Sequence, residues 1–264
     1  MSHFLYGANV QANGIRQHYL RYGGQGPVVI LIPGITSPAI TWGFVAERLA
    51  EKYDTYVLDV RGRGLSASEP DLAYDAETCA QDITSFACAL QLENYALLGH
   101  SMGARFALRA AALHPAGVRR LVLIDPPVSG PGRREYPGKW PWYVDSIRQS
   151  LLGMNAEQMR TYCPSWSESQ RQLRAEWLHT CYEPAIQRAY EDFHQVDSHR
   201  DYPALSMPTL LMVAGLGGVI QQEDEAEIRA LQPEITLAHV ENAGHMIPWD
   251  DFDGFFRALG NFLD

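Results

Sequence analysis

The chain has 264 residues with a net charge of −10, and 46% of its residues are hydrophobic. This length suits one α/β domain with a sizeable core and an insertion. No basic run indicates binding to nucleic acid or to an anionic membrane surface, and no apolar run reaches the ~18 residues of a membrane span. The N-terminus lacks the pattern of a signal peptide, so we expect a soluble cytoplasmic protein.

The cysteines give no sign of a metal centre or of a disulfide pair. The chain has four of them, without C-x-x-C or metal-ligand spacing, at Cys79, Cys88, Cys163 and Cys181. We therefore expect free thiols of a reducing compartment, no bound metal and no cofactor.

Strands and helices are predicted to alternate along most of the chain. The turn dipeptide Asn13-Gly14 predicts a hairpin within residues 9–22. A continuous β-branched apolar run predicts a buried strand at 28–32, and further runs rich in apolar residues predict strands at 55–60, 95–98, 121–124, 209–214 and 235–240. Helical patterns follow at 41–51, 75–91, 104–111, 223–231 and 251–263. Such alternation indicates an α/β fold, with a mostly parallel central sheet covered by helices on both faces.

Residues 130–206 interrupt this alternation. They contain four of the six tryptophans and no good strand, and they favour several helices, most clearly between Ser167 and His194. We predict a helical cap, or lid, inserted after the strand that ends at Asp125. The α/β core is then formed by residues 1–129 and 207–264.

The pentapeptide Gly99-His100-Ser101-Met102-Gly103 lies between a predicted strand and a predicted helix. A chain that reverses so sharply holds its central serine on a strained turn, with the hydroxyl projecting from the edge of the sheet. The flanking glycines allow the strand and the helix to approach closely. Ser101 is therefore the predicted nucleophile, provided that a base can reach it.

His245 is the best candidate for that base, because it follows the last predicted strand on a short loop. Catalytic groups of open α/β sheets lie beyond the carboxyl ends of the strands, where Ser101 and His245 would meet. His100 flanks the nucleophile, and we expect it to have a structural role. His179 lies in the insertion and could touch a substrate, although a solvated helix face is the simpler interpretation.

The layout as a whole resembles the α/β-hydrolase fold family. That family most often places the triad acid just after the strand at 209–214, where this chain has Gly215-Leu216-Gly217-Gly218. Some members place it one strand earlier, and Asp125, at the end of a buried strand, matches that position. Asp125 is our choice, and Asp224, in an acidic helix start, remains the alternative. The resemblance also implies an oxyanion hole formed by the backbone N–H groups of Ile35 and Met102.

Five longer stretches, at 33–42, 99–105, 124–134, 176–184 and 243–251, resemble bacterial serine amidohydrolases of nicotinate degradation, which remove a formyl group from a small anionic amide. The resemblance implies a metal-independent reaction through a formyl-enzyme. We expect substrate contacts from Thr36, Trp42, Arg105, Trp177 and Tyr182, with Trp142, Arg133 and Arg134 as further candidates. The only partner expected is the substrate, and no oligomeric state is predicted. An enol-lactone or ester hydrolase, a C–C bond hydrolase and a non-catalytic small-molecule receptor remain alternatives.

Overall fold

The structure, a computed structural model, describes residues 2–264 and is built on one eight-stranded sheet. The strands follow the order β1-β2-β4-β3-β5-β6-β7-β8. Two strand pairs are antiparallel, β1 with β2 and β2 with β4, and the other neighbouring strands are parallel. Their bounds are β1 Phe4–Ala12, β2 Ile15–Tyr22, β3 Val28–Ile32, β4 Asp54–Leu58, β5 Tyr95–His100, β6 Val118–Ile124, β7 Thr209–Ala214 and β8 Thr236–Val240. The fold class predicted from the alternation of elements is confirmed.

Ten α-helices accompany the sheet within the described residues. They are α1 Gly43–Leu49, α2 Ala76–Ala89, α3 Met102–Leu113, α4 Trp140–Leu151, α5 Ala156–Met159, α6 Glu168–Trp177, α7 Glu183–Gln195, α8 Gln222–Leu231, α9 Ile247–Asp250 and α10 Phe252–Leu259. Three short 3-10 helices are added at Ala39–Trp42, Leu178–Thr180 and His199–Ala204. No helix in residues 2–264 is long and apolar enough to cross a membrane.

Parallel pairing brings three loops together at the carboxyl ends of the strands. Ile32 pairs with Gly99, and His100 pairs with Ile124, so β3, β5 and β6 end side by side. The ladder extends one residue further, because the Ser101 N–H donates to the Ile124 carbonyl at 2.9 Å. The three segments that follow these strands therefore meet at a single site.

The segment between β6 and β7 contains no strand and consists of α4 to α7 with the connecting 3-10 turns. The stretch with the clearest helical pattern, from Ser167 to His194, forms two separate helices, α6 and α7. Pro184 lies in the first turn of α7, a position that suits proline. Inside a continuous helix its ring would clash with the carbonyl four residues earlier, at Thr180, so α6 and α7 cannot form one regular helix. The boundaries of the cap at 130 and 206 stay a prediction.

Candidate active site

Ser101 occupies the sharp turn between β5 and α3. Its φ of 54° and ψ of −120° lie in a region that L-residues rarely adopt, which stores local strain of about 1–3 kcal/mol. A Cβ on Gly99 would lie 2.5 Å from the Gly103 carbonyl oxygen. The strand and the helix thus approach more closely than side chains would permit, as the two glycines indicated.

Ser101, His245 and Asp125 form a continuous hydrogen-bonded series. His245 Nε2 lies 3.0 Å from Ser101 Oγ, and His245 Nδ1 lies 2.7 Å from Asp125 Oδ2. The carboxylate is fully buried, whereas the imidazole is about one quarter exposed. A buried acceptor on Nδ1 fixes the tautomer in which Nε2 can take the serine proton. The structure therefore brings together the three residues that the sequence proposed as a triad.

Asp224, the alternative acid, lies elsewhere. Its carboxylate accepts from the Gln221 N–H at 2.8 Å and pairs with Arg134 at 2.6 Å. It caps the N-terminus of α8, where a negative charge is favourable. The geometry therefore favours Asp125 over Asp224 for the acid position.

The two expected oxyanion donors lie beside the nucleophile. Neither the Ile35 nor the Met102 N–H donates to a protein acceptor among the described residues. Met102 begins α3, whose N-terminal partial charge favours an anion. A Cβ on Gly34 would lie 3.0 Å from His100 Nδ1 and 3.6 Å from Ser101 Cβ, so only glycine lets this loop approach so closely. The oxyanion role of the two N–H groups stays a prediction.

Arg63 contacts both Ile35 and Met102. Its Nε donates to the Ile35 carbonyl at 3.0 Å, and its Nη2 contacts Met102 Sδ at 3.2 Å. The side chain is buried, which lowers the pKa of its guanidinium, and no carboxylate in residues 2–264 pairs with it. Arg63 therefore connects the loop after β4 directly to the site.

His100 supports the base. Its Nε2 donates to the His245 carbonyl at 2.9 Å, and the two rings lie 5.0 Å apart. Burial, reinforced by His245, lowers the pKa of His100 to about 3. The ring is therefore neutral, and its hydrogen bond fixes the loop that carries His245.

A cavity of about 670 Å³ opens above Ser101, within the range of small-molecule sites. The predicted residues Ile35, Thr36 and Trp142 line it. Sequence reasoning missed the other cap residues of its wall, which include Tyr136, Lys139, Tyr143, Trp166 and Arg174. Tyr136 and Tyr143 lie with their hydroxyl oxygens 3.0 Å apart, and burial raises the pKa of Tyr136 to about 12. The tyrosines lie in a loop and a helix start without any pattern that would have identified them.

One signal could have identified Arg174. Residues 171, 174, 175 and 178 repeat with the period of a helix face, and all four are buried. Two arginines on such a face are unusual enough to indicate a role for at least one of them.

Four of the expected substrate contacts do not reach the cavity. Trp42 is buried against Trp249, with ring centroids 4.7 Å apart, and so packs behind His100. The α-helix ends at Trp177 and the following 3-10 turn redirects the chain, so Trp177 and Tyr182 lie outside the cavity. Tyr182 instead packs on Tyr74 at 5.7 Å. The structure thus places Trp42, Trp177 and Tyr182 away from the cavity wall.

Arg105, the fourth, holds the cap in place. Its guanidinium donates to backbone carbonyls at the start of the cap and in its last α-helix, α7. Two of them are the carbonyls of Ser129, at 3.3 Å, and Asp192, at 3.2 Å. Burial lowers the pKa of Arg105 to about 10. Arg133 and Arg134 are likewise engaged, in ion pairs with Glu227 and Asp224. None of these three cations is free to meet a ligand above Ser101.

The fold and the site define the class to which the chain belongs, the α/β-hydrolase fold family, whose sequence profile matches residues 27–252. The N-formylmaleamate deformylase of Pseudomonas putida is 68% identical over all of this chain and 98% of its own length. The crystal structure of a serine-to-alanine variant of the N-formylmaleamic acid deformylase of another Pseudomonas putida strain superposes with a TM-score of 0.93, at 54% identity, covering 97% of this chain and 100% of that one. An E-2-(acetamidomethylene)succinate hydrolase structure, at 23% identity and a TM-score of 0.80, covers 99% of this chain and 100% of its own and shares the fold.

Proposed function

We propose that this protein hydrolyses N-formylmaleamate to maleamate and formate, a step of bacterial nicotinate degradation. The observation that carries the proposal is the Ser101–His245–Asp125 series beside a cavity of about 670 Å³, in a chain 68% identical along its whole length to a deformylase of that substrate. An apolar cavity with a few polar groups suits a small amide that must be held and oriented.

The reaction begins with attack of Ser101 Oγ on the formyl carbon. His245 Nε2, 3.0 Å away, accepts the hydroxyl proton, and Asp125 stabilises the imidazolium that results. The negative charge that develops on the formyl oxygen is stabilised by the N–H groups of Ile35 and Met102. One such donor typically contributes about 3–4 kcal/mol to the transition state.

Collapse of the tetrahedral intermediate expels the amide nitrogen. His245 donates its proton to that nitrogen, and the remaining acyl carbonyl of maleamate delocalises the developing charge, which makes this amide easier to cleave than a peptide. Water, deprotonated by His245, then attacks the formyl ester of Ser101 and releases formate. Every step uses side chains of this protein, two backbone N–H groups and water.

The decisive test is to incubate the purified protein with N-formylmaleamate and to measure formate. We expect turnover by the native protein and none by Ser101→Ala, with covalent labelling of Ser101 by a fluorophosphonate in the native protein only. Turnover of an enol-lactone or a nitrophenyl ester without formate from N-formylmaleamate would contradict the deformylase assignment and favour an ester or lactone hydrolase. A failure of fluorophosphonate to label Ser101 would contradict the enzyme class itself.

A further inference from the structure

An anionic substrate in a protein of net charge −10 needs a local cation. The cavity wall holds two, Lys139 and Arg174. Lys139 is exposed at the start of α4, whereas Arg174 is only 2% exposed. The hydrogen bonds of Arg174 within residues 2–264 go to Thr36 and to no carboxylate, although a buried charge without a carboxylate partner is costly.

The guanidinium of Arg174 is held in place with donors to spare. Its Nη1 donates to the Thr36 carbonyl and its Nη2 to Thr36 Oγ1, both at 2.8 Å. A guanidinium carries five N–H groups, and the buried Nε of Arg174 has no acceptor among residues 2–264. The second N–H groups of Nη1 and Nη2 remain to donate to a carboxylate.

Two tryptophans fix the position of this cation. The guanidinium carbon of Arg174 lies 5.7 Å from the ring centroids of both Trp142 and Trp166, which also line the cavity. Aromatic faces attract a guanidinium without consuming its N–H donors, and they exclude water from it. The arrangement therefore holds a cation ready without neutralising it.

We propose that Arg174 binds the carboxylate of the substrate, an inference that rests on the proposed function. Thr36 directly follows Ile35, so an anion on Arg174 lies beside the oxyanion loop, a short distance from the reacting carbonyl. The cavity wall contains one carboxylate, Asp250, which could compete for Arg174. It accepts instead from the Gly244 N–H at 3.1 Å and from the Ser165 hydroxyl at 3.3 Å. Because α6 belongs to the cap and Thr36 to the core, Arg174 also joins the two around the ligand.

The test measures binding without catalysis, in Ser101→Ala protein, by calorimetric titration with maleamate and with its neutral analogue maleamide. We expect maleamate to bind at least tenfold more tightly than maleamide, as one charge-assisted hydrogen bond implies. Arg174→Gln should abolish that preference, whereas Arg171→Gln should retain it. Arg171 is the matched control, since it is buried on the same helix, donates only to backbone carbonyls, those of Ala156 and Trp166, and does not line the cavity.

Three outcomes would overturn the proposal. One is that Ser101→Ala protein with Arg174 intact binds maleamate and maleamide equally tightly. Another is equal weakening of both ligands by Arg174→Gln, which would make Arg174 a brace of the oxyanion loop only. The third is loss of the preference in Lys139→Gln and not in Arg174→Gln. Absence of formate in the native reaction, with the preference for maleamate still dependent on Arg174, would instead reject the proposed function and leave this site standing.

Discussion

The carboxylate of Asp125 lies directly against Gly218. A Cβ on Gly218 would lie only 2.8 Å from Asp125 Oδ2, the same oxygen that His245 Nδ1 contacts at 2.7 Å. The acid therefore comes from the end of β6 and occupies space beside the segment after β7. That segment is where the family more often carries its acid. Here the glycine at 218 leaves the space that the carboxylate of Asp125 occupies.

Gly218→Ala should reduce kcat by about tenfold or more, because the added methyl group must displace the carboxylate that orients His245. The measurement is steady-state formate release at a temperature where both proteins are folded. Gly217→Ala is the control. A Cβ there meets nothing within 4 Å, but the φ of 85° is unfavourable for alanine, so we expect a loss of about 1 kcal/mol of stability with kcat unchanged.

Asp125→Ala should lower kcat by about 10³–10⁴, because the imidazole loses its tautomer and the stabilisation of its charge. Asp224→Ala should leave kcat close to native and lower the free energy of unfolding by about 1 kcal/mol, the usual effect of losing a helix cap. Formate kinetics and urea unfolding of both variants check the pair. The opposite ranking of the two kcat values would restore Asp224 as the acid.

Arg63→Gln should lower kcat by about 10-fold with a smaller change in KM, because Arg63 holds the carbonyl of Ile35 and the side chain of Met102. The same variant should react more slowly with fluorophosphonate, whose phosphoryl oxygen uses the same N–H donors. Arg109→Gln serves as a control for removal of an arginine, since Arg109 forms ion pairs with Glu77 and Asp201 two turns further along α3. A folded Arg63→Gln with native kcat would contradict this role.

Stability should decrease as the pH falls from about 6.5 towards 3. The pKa of His100 is about 3 in the folded protein and about 6.5 in an unfolded chain. The unfolded state therefore binds an additional proton throughout that window, and the free energy of unfolding declines as the pH is lowered. Between pH 7 and pH 5 this amounts to on the order of 1–2 kcal/mol.

The measurement is urea unfolding of the native protein and of His100→Gln at both pH values. Glutamine does not titrate, so the variant should be less stable at pH 7 but should lose less stability on acidification. Equal losses in the two proteins would show that His100 does not titrate in this window.

Local sequence was sufficient for the fold and for the nucleophile. A strand, a turn flanked by glycines and a helix are each specified by neighbouring residues, and Gly99 and Gly103 leave one arrangement for Ser101. The strands around it were identified because burial on both faces requires continuous apolar runs. Even the absence of a carboxylate after Thr209–Ala214 could be read from the sequence, and it directed the choice of acid to Asp125.

Tertiary structure alone decided what surrounds Ser101. Arg174 meets Thr36 across 138 residues of chain, and no local pattern encodes a contact between a cap helix and a core loop. The direction of each cap side chain depends on how its helix packs against the core. Arg105, one turn after the nucleophile, therefore fastens the cap, while Arg174, far away in sequence, faces the ligand.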